Sequence, residues 1–463
     1  MNKKIYLMGI SRRCNRIIES GLIKLETVTG LFDNSPEKWG TLEYGMTVEK
    51  PRYIDDGKVI ITTSEKFHVD IVGQLLRLGF TNISLILDSA EGLYIKDLDF
   101  GGYDYNFDNK KLVLLYLQHS SYSGISAIDY MVRNGLVNTY DFTIKEFIRG
   151  EQNEQYYYDL AKAEYFITER DLPISTERIR IIQLWHGFPL KCMGTMDAQF
   201  DCSRREKVQA YWNRYDYIAS YGLNYTTFLC ACFGTMFRKY IVTGMPRNDL
   251  LFCSDGHKNI EVKFPESRGK KIILYMPTFR EISGRINGSN EGYIFYWPQF
   301  SIKMFECFCK EHNLYFIFKL HPSDSSKVKE WCNESECIGI LTDELLENQC
   351  TYEFLNGADA LLTDYSSVYF DFLLLNKPII FTNRDEKEYI QNRGVILEPL
   401  NFWRPGPIVD NMGDLLRELD NVSNDVDEFE KQRKQLIPFV HNYVDGNSTQ
   451  RLFDFIRENQ NEM

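Results

Sequence analysis

Short apolar runs alternate with longer mixed segments along the whole chain. In the first hundred residues, runs at 4–8, 28–32, 59–62 and 83–87 have the length of buried strands, and helix-like segments lie between them. Strands that alternate with helices predict a parallel sheet covered by helices. We therefore expect a Rossmann-like accessory domain over residues 1–103, which ends near the Gly101–Gly102 pair.

The same alternation returns twice further along the chain. Strand-like runs occupy 111–117, 165–168 and 179–185 in the middle part, and 271–276, 314–320, 360–363 and 378–382 in the last part. Segment 254–271 mixes Gly, Pro, Ser and charged residues, so we expect it to be a linker. The predicted fold class is α/β, with domains at 1–103, 104–262 and 263–463, and the last helix is a candidate to pack back on the middle domain.

Composition and charge limit the classes of partner that the protein can bind. The 463 residues are 44% hydrophobic and 25% charged, as in a globular protein, and the formal net charge is -12. Proteins that coat nucleic acid need a basic face to neutralise phosphates, so we expect no nucleic-acid partner. A local basic pocket on an acidic chain still permits a substrate that carries phosphate.

The cysteines and the N-terminus indicate the compartment. The 11 cysteines are scattered and none has the spacing of a zinc knuckle, which favours free thiols in a reducing environment. The N-terminus lacks the pattern of a secretory signal, and no window has the roughly 20 apolar residues that span a bilayer. The expected location is therefore cytoplasmic, and the protein can still dock on a membrane surface.

A histidine follows the predicted strand at 179–185. Ligands of open α/β sheets bind beyond the carboxyl ends of the strands, and His186 lies there, with Gly187 and Pro189 shaping the turn. An imidazole with an ordinary pKa of about 6.5 can take a proton from a hydroxyl group. The competing interpretation is a histidine that only closes the loop through a hydrogen bond.

Two further strand ends carry groups that suit phosphate. Thr278 and Arg280 follow the run at 271–276, and a guanidinium group binds phosphate oxygens in a bidentate manner. Lys319 and His321 close the run at 314–320, where Pro322 fixes the following backbone. Each of these residues also has a purely structural interpretation, as a surface arginine or a hydrogen-bonded histidine.

The end of the run at 360–363 is followed by Asp364, Ser366 and Ser367 and then by an apolar segment. Such residues cap helices, and a helix start with small hydroxyl residues can bind an anion. Ordinary capping without a ligand is the alternative. Asp371, further along this predicted helix, is either a ribose partner or a solvated side chain.

The middle part of the chain also has a basic segment. Residues 203–207, Arg238, Lys239 and Arg247 lie among many aromatic residues. They can steer an anionic lipid-linked or polymeric acceptor or contact anionic headgroups. A solvated helix face is the alternative.

These segments form an ordered series of motifs. They are WHGFPLK at 185–191, GMPRND at 244–249, YMPTFR at 275–280, KLHP at 319–322, TDYSS at 363–367 with Asp371–Phe372 behind it, KPIIF at 377–381, RG at 393–394 and PGP at 405–407. The series resembles the CDP-glycerol glycerophosphotransferase family, the enzymes of teichoic-acid and related capsule polymers. The resemblance covers about residues 110–455.

The resemblance implies a fold, a reaction and a set of site residues. The fold is GT-B, a pair of Rossmann-like domains facing a cleft. The reaction moves a polyol phosphate from a CDP-linked donor, CDP-glycerol or CDP-ribitol, to a hydroxyl of a lipid-linked or polymeric acceptor and releases CMP. It also implies a peripheral location at the inner face of the cell membrane and no cofactor. The residues themselves show no metal-binding constellation, so we expect no metal. His186 is the implied general base and His321 the implied contact of the donor pyrophosphate. The other implied donor-binding residues are Thr278, Arg280, Lys319, Asp364, Ser366, Ser367 and Asp371, and the implied acceptor-side residues are Lys191, Arg247 and Asn248.

The first hundred residues lie outside this resemblance. Gly9 to Cys14 occupies the place of a G-x-G-x-x-G turn, and Asp33 ends the second predicted strand. The second and third glycines of that motif are replaced, which argues against a bound dinucleotide, since close approach of the pyrophosphate needs them. The predicted role is acceptor binding or docking.

Two other functions stay open at this point. One is a GT-B glycosyltransferase that uses a CMP- or UDP-linked sugar, which differs in that the transferred group contains no phosphorus. The other is a non-catalytic scaffold of cell-envelope polymer synthesis, which would leave His186 and His321 without a role.

Overall fold

The structure, a computed structural model, describes residues 4–104, 111–117, 124–148, 150–282, 285–286, 288–333, 335–347 and 349–459. The internal contacts of the chain separate two compact units. The first comprises 1–116, 141–167 and 171–181, and the second comprises 117–140, 168–170 and 182–463. The predicted three domains stay a prediction.

The first unit begins with a seven-stranded sheet. Its strands are β1 (Lys4–Met8), β2 (Val28–Phe32), β3 (Leu42–Glu43), β4 (Met46–Glu49), β5 (Gly57–Ile61), β6 (Asn82–Ser89) and β7 (Gly92–Asp99), in the order β3-β4-β2-β1-β5-β6-β7. Only the pairs β3/β4 and β6/β7 are antiparallel among the named pairs of this sheet. Helices α1 (Arg12–Glu19) and α2 (His68–Arg77) bury apolar residues, such as Cys14, Ile17, Val72 and Leu76.

Two groups of parallel strands follow. They are β8 (Leu112–Tyr116), β9 (Thr143–Phe147), β10 (Ala163–Thr168), β11 (Arg180–Gln183), β12 (Tyr217–Ser220) and β13 (Tyr240–Val242). In the first unit β8 pairs with β9 and β10, and in the second β12 pairs with β11 and β13. The helices of this region are α3 (Gly124–Arg133), α4 (Glu154–Lys162), α5 (Cys202–Trp212), α6 (Leu223–Phe233), α7 (Pro246–Cys253) and α8 (Gly256–Lys263).

The last part of the second unit is built on another parallel sheet. Its strands are β14 (Lys271–Tyr275), β17 (Leu314–Phe318), β18 (Ile338–Ile340), β19 (Ala360–Thr363), β20 (Ile379–Thr382) and β21 (Ile408–Val409), in the order β18-β17-β14-β19-β20-β21, and β15 (Glu281–Ile282) and β16 (Arg285–Ile286) form a separate hairpin. Strands β14, β17 and β19 are buried along their length or nearly so, which explains why they are continuous apolar runs rather than alternating ones.

Eleven helices of this part have the following bounds: α9 (Ile302–Glu311), α10 (Pro322–Ser325), α11 (Lys329–Asn333), α12 (Asp343–Leu346), α13 (Tyr352–Leu355), α14 (Val368–Phe372), α15 (Glu386–Arg393), α16 (Leu400–Trp403), α17 (Met412–Ser423), α18 (Glu430–Val440) and α19 (Ser448–Glu458). The first free backbone N–H groups of α19, on Ser448 and Thr449, donate to the Asp249 carboxylate at 2.8 and 2.7 Å. This interaction ties the last helix to α7.

The α/β class is confirmed, and most predicted strands exist within two residues of their expected ends. Segment 254–271 contains α8, which Asp255 caps by accepting from the Lys258 N–H, and the linker there stays a prediction. The helix behind Asp364 starts at Val368, where the apolar segment begins, and has five residues. The expected capping by Ser367 was wrong, because no helix N–H donates to its hydroxyl.

Candidate active site

His186 sits on an irregular loop directly behind β11. The strand ends at Gln183, because Trp185 has a φ of +58°, which no strand accommodates and which bulky residues rarely adopt. The Trp185 ring packs against Trp212 and Phe233, with centroids 5.0 and 5.2 Å away. The exposed His186 ring lies 3.9 Å from the Trp185 ring. The loop therefore presents an imidazole on a packed aromatic support.

The surroundings of His186 keep its imidazole neutral. The residue keeps exposed surface, yet protein packs densely around its imidazole. This desolvation, followed by the positive charges of Arg247, Arg170 and Lys191, lowers the pKa of His186 to about 3. A neutral imidazole at pH 7 has a lone pair that can accept a proton, which is the state that a general base needs.

The His186 loop lies against the segment behind β19. A Cβ atom at Gly187 would stand 2.3 Å from the Oγ atom of Ser367, so only glycine fits there. Further along, Lys191 forms a β-bridge with Val395, and the Cys192 N–H donates to the Gly394 carbonyl at 3.3 Å. These contacts bring segments that are far apart in the sequence together around Lys191 and Ser367, which are both half-buried.

Neighbouring cations affect the pKa of Lys191. Burial and the charges of Arg393 and Arg280 lower the pKa of Lys191 to about 8, against an opposing effect of Asp364. An anion bound beside Lys191 would relieve this repulsion. The arrangement therefore suits a phosphate group.

Arg247 and Asn248 are buried in the first turn of α7. The Arg247 guanidinium donates to the His186 carbonyl at 2.7 Å and to the Asp371 carboxylate at 2.6 Å. Asp371 is fully buried. Arg247 and Asp371 therefore lie beneath the His186 loop rather than on its surface, and Asn248 is buried next to Arg247 in α7. The acceptor-side and donor roles of these residues stay predictions.

Arg280 is buried between two carboxylates and three tyrosine rings. Its Nη2 atom lies 2.8 Å from Asp364 and 3.3 Å from Asp385. The guanidinium carbon lies 5.4 to 5.7 Å from the ring centroids of Tyr293, Tyr365 and Tyr389. Burial raises the pKa of Asp385 to about 6, against the opposing charge of Arg280.

Thr278 belongs to the same framework. Its backbone N–H donates to the Asp364 carboxylate at 2.7 Å, and its side chain is buried. Asp364 therefore joins the segments behind β14 and β19 through Thr278 and Arg280. The predicted donor contacts of Thr278, Arg280 and Asp364 stay a prediction, while their mutual contacts hold the backbone of both strand ends.

His321 is exposed at the end of β17. Its ring stacks on Phe279 with centroids 3.8 Å apart, and its Nδ1 atom lies 2.8 Å from the Ser323 hydroxyl. Desolvation lowers the pKa of His321, against the opposing charges of Asp324 and Asp343. The neutral ring can donate one N–H to a ligand.

A cavity of about 510 Å³ opens beside His321. Lys319 and Asp343 line it, and the Lys319 ammonium donates to the Asp343 carboxylate at 2.7 Å. The other lining residues come from the ends of β17 and β18 and from the helices behind them. They are Leu320, Pro322, Ser325, Ser326, Lys329, Ile340, Thr342 and Glu344.

Comparisons with known proteins identify the family of this chain. A family model described as CDP-Glycerol:Poly(glycerophosphate) glycerophosphotransferase matches residues 108–458. The chain belongs to this family. A solved structure of the wall teichoic acid polymerase TagF, soaked with CDPG, covers 77% of this chain and 91% of its own with a TM-score of 0.60 at 21% identity. This likeness supports the predicted GT-B type of Rossmann-like domains.

The curated relatives of this chain include enzymes named for ribitol phosphate and enzymes named for glycerol phosphate. The teichoic acid ribitol-phosphate polymerase TarK of Staphylococcus aureus is 30% identical over 311 residues, which are 64% of this chain and 56% of that protein. A teichoic acid glycerol-phosphate primase of Bacillus subtilis is 30% identical over 289 residues, which are 60% of this chain and 68% of that protein. The chain thus matches little more than half the length of TarK.

Several residues of this candidate site were not identified from the sequence. Tyr221 and Tyr352 donate to Asp371, and Asp385 pairs with Arg280. Tyr221 follows β12 and Asp385 follows β20, so the rule that singled out His186 would also have singled them out. Tyr352 precedes a strand and carries no such signal.

The first unit has a cavity of its own, of about 370 Å³, at the carboxyl ends of β1, β2 and β5. Asp33 lines it, but its carboxylate already accepts from the Ile10 and Ser35 N–H groups, at 2.7 and 2.9 Å, and from Lys38 at 2.9 Å. The family match does not include this region.

All 11 cysteines are free thiols, as predicted. Among the described residues, no helix combines the length and apolarity needed to cross a bilayer. Within the same residues, no three His, Cys, Asp or Glu side chains are grouped to hold a metal ion.

Proposed function

We propose that the chain transfers a polyol phosphate, most simply glycerol phosphate, from a CDP-linked donor to a hydroxyl of a lipid-linked or polymeric acceptor in teichoic-acid or capsule-type synthesis. CMP is the released product. The observation that carries the proposal is the neutral, exposed His186 imidazole, surrounded by cations within the segment that matches the family.

The proposed reaction is a displacement at phosphorus. The acceptor oxygen forms a bond to the phosphorus that carries the polyol, the bond from that phosphorus to the bridging oxygen breaks, and CMP leaves with the electron pair. His186 takes the proton of the acceptor hydroxyl. Lys191 and the His321 N–H face the phosphates, where positioning and charge neutralisation lower the barrier. The CDP-polyol is a substrate, and the proposed reaction uses no cofactor.

A test of this proposal incubates the purified protein with CDP-glycerol or CDP-ribitol and a lipid-linked acceptor. We expect CMP release and a product whose added group contains phosphorus. His186→Ala is expected to lower kcat by about 10²- to 10⁴-fold, as for loss of a general base. Absence of CMP with both donors would overturn the proposal, and a transferred group without phosphorus would favour the glycosyltransferase alternative.

The cavity beside His321 suits the cytosine of the donor. Cytosine offers an amino donor where uracil has a carbonyl acceptor. The Asp343 carboxylate can accept from that amino group, and the adjacent Lys319 ammonium can donate to the ring acceptors. We expect CMP to raise the melting temperature more than UMP does. The difference should shrink in Asp343→Asn and stay in Glu311→Gln, a variant outside the cavity. An unchanged preference in Asp343→Asn would contradict this role.

Peripheral contact with an anionic membrane is a second part of the proposal. Arg204, Arg205 and Lys207 are exposed on α5, a helix on which only Trp212 is buried. Next to it, Met236 and Phe237 are each 57% exposed. The two segments are joined by a hydrogen bond from Lys239 to the Asn213 carbonyl at 2.8 Å. Basic residues beside exposed apolar ones suit a surface of anionic headgroups.

Sedimentation with phosphatidylglycerol vesicles tests this contact. We expect binding that falls as salt rises, because each basic residue near such a surface contributes about 1 kcal/mol through screened attraction. Replacing Arg204, Arg205 and Lys207 by Glu should abolish binding. The matched control replaces the exposed Lys303, Lys387 and Lys431 by Glu. Equal loss in both triple variants would show that only the net charge matters.

A further inference from the structure

The described part of the chain holds a buried ion pair beneath the His186 loop. The Arg247 and Asp371 side chains are 6% and 0% exposed, and Nη2 of Arg247 lies 2.6 Å from Oδ2 of Asp371. The carboxylate also accepts from the Tyr221 and Tyr352 hydroxyls, each at 2.6 Å. Two charges this deeply buried persist only when their hydrogen bonds are made, and here three donors converge on one carboxylate.

The same guanidinium holds the backbone of the proposed general base. Nη1 of Arg247 donates to the His186 carbonyl oxygen at 2.7 Å, while Nη2 holds Asp371 and the Tyr221 hydroxyl, the latter at 3.0 Å. The planar group also lies over the Tyr352 ring, 4.9 Å from its centroid. Its plane is therefore fixed from several sides, and the His186 carbonyl is fixed with it.

The loop needs such an anchor. Trp185, which precedes His186, has a positive φ, and Gly187, which follows it, is in contact with Ser367. The backbone on both sides of His186 is therefore irregular. An unusual backbone conformation persists only where neighbouring groups hold it in place. Arg247 holds the carbonyl that lies between these two residues.

We propose that Asp371 is a positioning residue for His186, which acts through Arg247, and that it does not contact the donor. The proposal rests on the proposed role of His186 as general base. The Asp371 carboxylate has no exposed surface and already accepts from three protein donors, so a ribose hydroxyl cannot reach it. Its place at the end of α14 instead lets it hold the guanidinium, and the guanidinium holds the His186 loop at a defined distance from Ser367.

The first test is a split of kinetic parameters. Asp371→Asn keeps the shape and an acceptor for the tyrosines but removes the charge that orients Arg247. A misplacement of the base by an ångström costs about 10²-fold in rate, so we expect kcat to fall roughly 10- to 100-fold. The KM for CDP-glycerol should change less than about threefold. A large rise in KM with unchanged kcat would instead assign Asp371 to the donor and overturn the proposal.

The second test is a double-mutant cycle with His186→Ala. If Asp371 acts through His186, Asp371→Asn causes no further loss once the imidazole is gone. Additive losses would overturn the proposal while leaving His186 as the base. If His186→Ala alone keeps full activity, the proposed function of His186 fails instead, so the two failures are distinguishable.

A matched control separates positioning from folding. Arg433 on α18 is another fully buried arginine, and it pairs with Asp427 away from this loop. Asp427→Asn should lower the melting temperature without lowering kcat. If Asp371→Asn does not fold, Tyr352→Phe removes one of the donors to Asp371 and is expected to lower kcat about two- to tenfold at unchanged KM. Equal effects of Asp427→Asn and the Asp371 or Tyr352 variants on kcat would overturn the proposal.

Discussion

At the scale of single residues, the candidate site depends on charges around one imidazole. His186 is neutral because protein surrounds it and because Arg247, Arg170 and Lys191 are close. The sequence could show that a histidine follows a strand, since that is a local pattern. It could not show which cations surround it, because Arg170, Lys191 and Arg247 are brought there by tertiary structure.

Removing one of these cations should change the pH dependence of the reaction. Arg170→Met removes a positive charge that disfavours protonated His186, so the His186 pKa rises towards its ordinary value. Because the base must be unprotonated, the acid limb of kcat/KM should move to higher pH, by about half a pH unit. The control is Arg214→Met, an exposed arginine that is not among the groups shifting His186. A shift to lower pH would contradict the assignment.

Gly187 offers a test of the contact with Ser367. Gly187→Ala places a methyl group 2.3 Å from the Ser367 Oγ and 2.9 Å from its Cβ, which must displace the loop. We expect kcat/KM to fall roughly 10- to 100-fold. Gly187→Ala combined with Ser367→Gly removes the clash and should recover most of the activity of Ser367→Gly alone. No recovery would mean that another neighbour, such as Arg247, limits the space.

At the scale of elements, the strands were predictable and the segments between them were not. Strands β14, β17 and β19 are apolar throughout because they are buried on both faces, and this is visible in the sequence. The apolar run at 179–185 predicted a longer strand than β11. The strand is shorter because of the φ of Trp185, which depends on the packing of its ring against Trp212 and Phe233. The bridge between Lys191 and Val395 joins segments about two hundred residues apart and left no local signal.

This bridge predicts a difference between two glycines. Gly394 and Gly269 have φ values of +67° and +71°, so alanine at either position should cost roughly 1–2 kcal/mol of folding free energy. Only at Gly394 would the new Cβ meet a neighbour, the Cys192 Sγ at 2.9 Å, whereas Gly269 has open space. Both variants should melt earlier, but only Gly394→Ala should raise the KM for the CDP-polyol, because it moves Lys191. A raised KM in Gly269→Ala would contradict this reasoning.

At the scale of the whole molecule, the family match applies to only one part of the chain. The matched segment starts at residue 108, so the seven-stranded sheet of the first unit lies outside it. Four of its strands were predictable from apolar runs, whereas β3, β4 and β7 and the two antiparallel pairs were not. Its role was not predictable, because the Gly9 turn has only part of a dinucleotide motif.

Binding of nicotinamide dinucleotides provides a test at this scale. Such folds use an acidic residue at the end of the second strand to hold a ribose, and here Asp33 already accepts from Ile10, Ser35 and Lys38. We expect NAD and NADP to leave the melting temperature unchanged, while CMP raises it. Stabilisation by either dinucleotide would show that Asp33 exchanges its partners for a ribose.

The Arg247–Asp371 pair also constrains how this sequence can diverge. A buried charge that loses its counterion costs about 3–5 kcal/mol, so a lineage that neutralises one member must soon neutralise the other or lose the fold. Drift at positions 247 and 371 is therefore expected to be correlated, with Tyr221 and Tyr352 following, because their hydroxyls would lose their acceptor. Homologous sequences should keep all four residues or exchange them together.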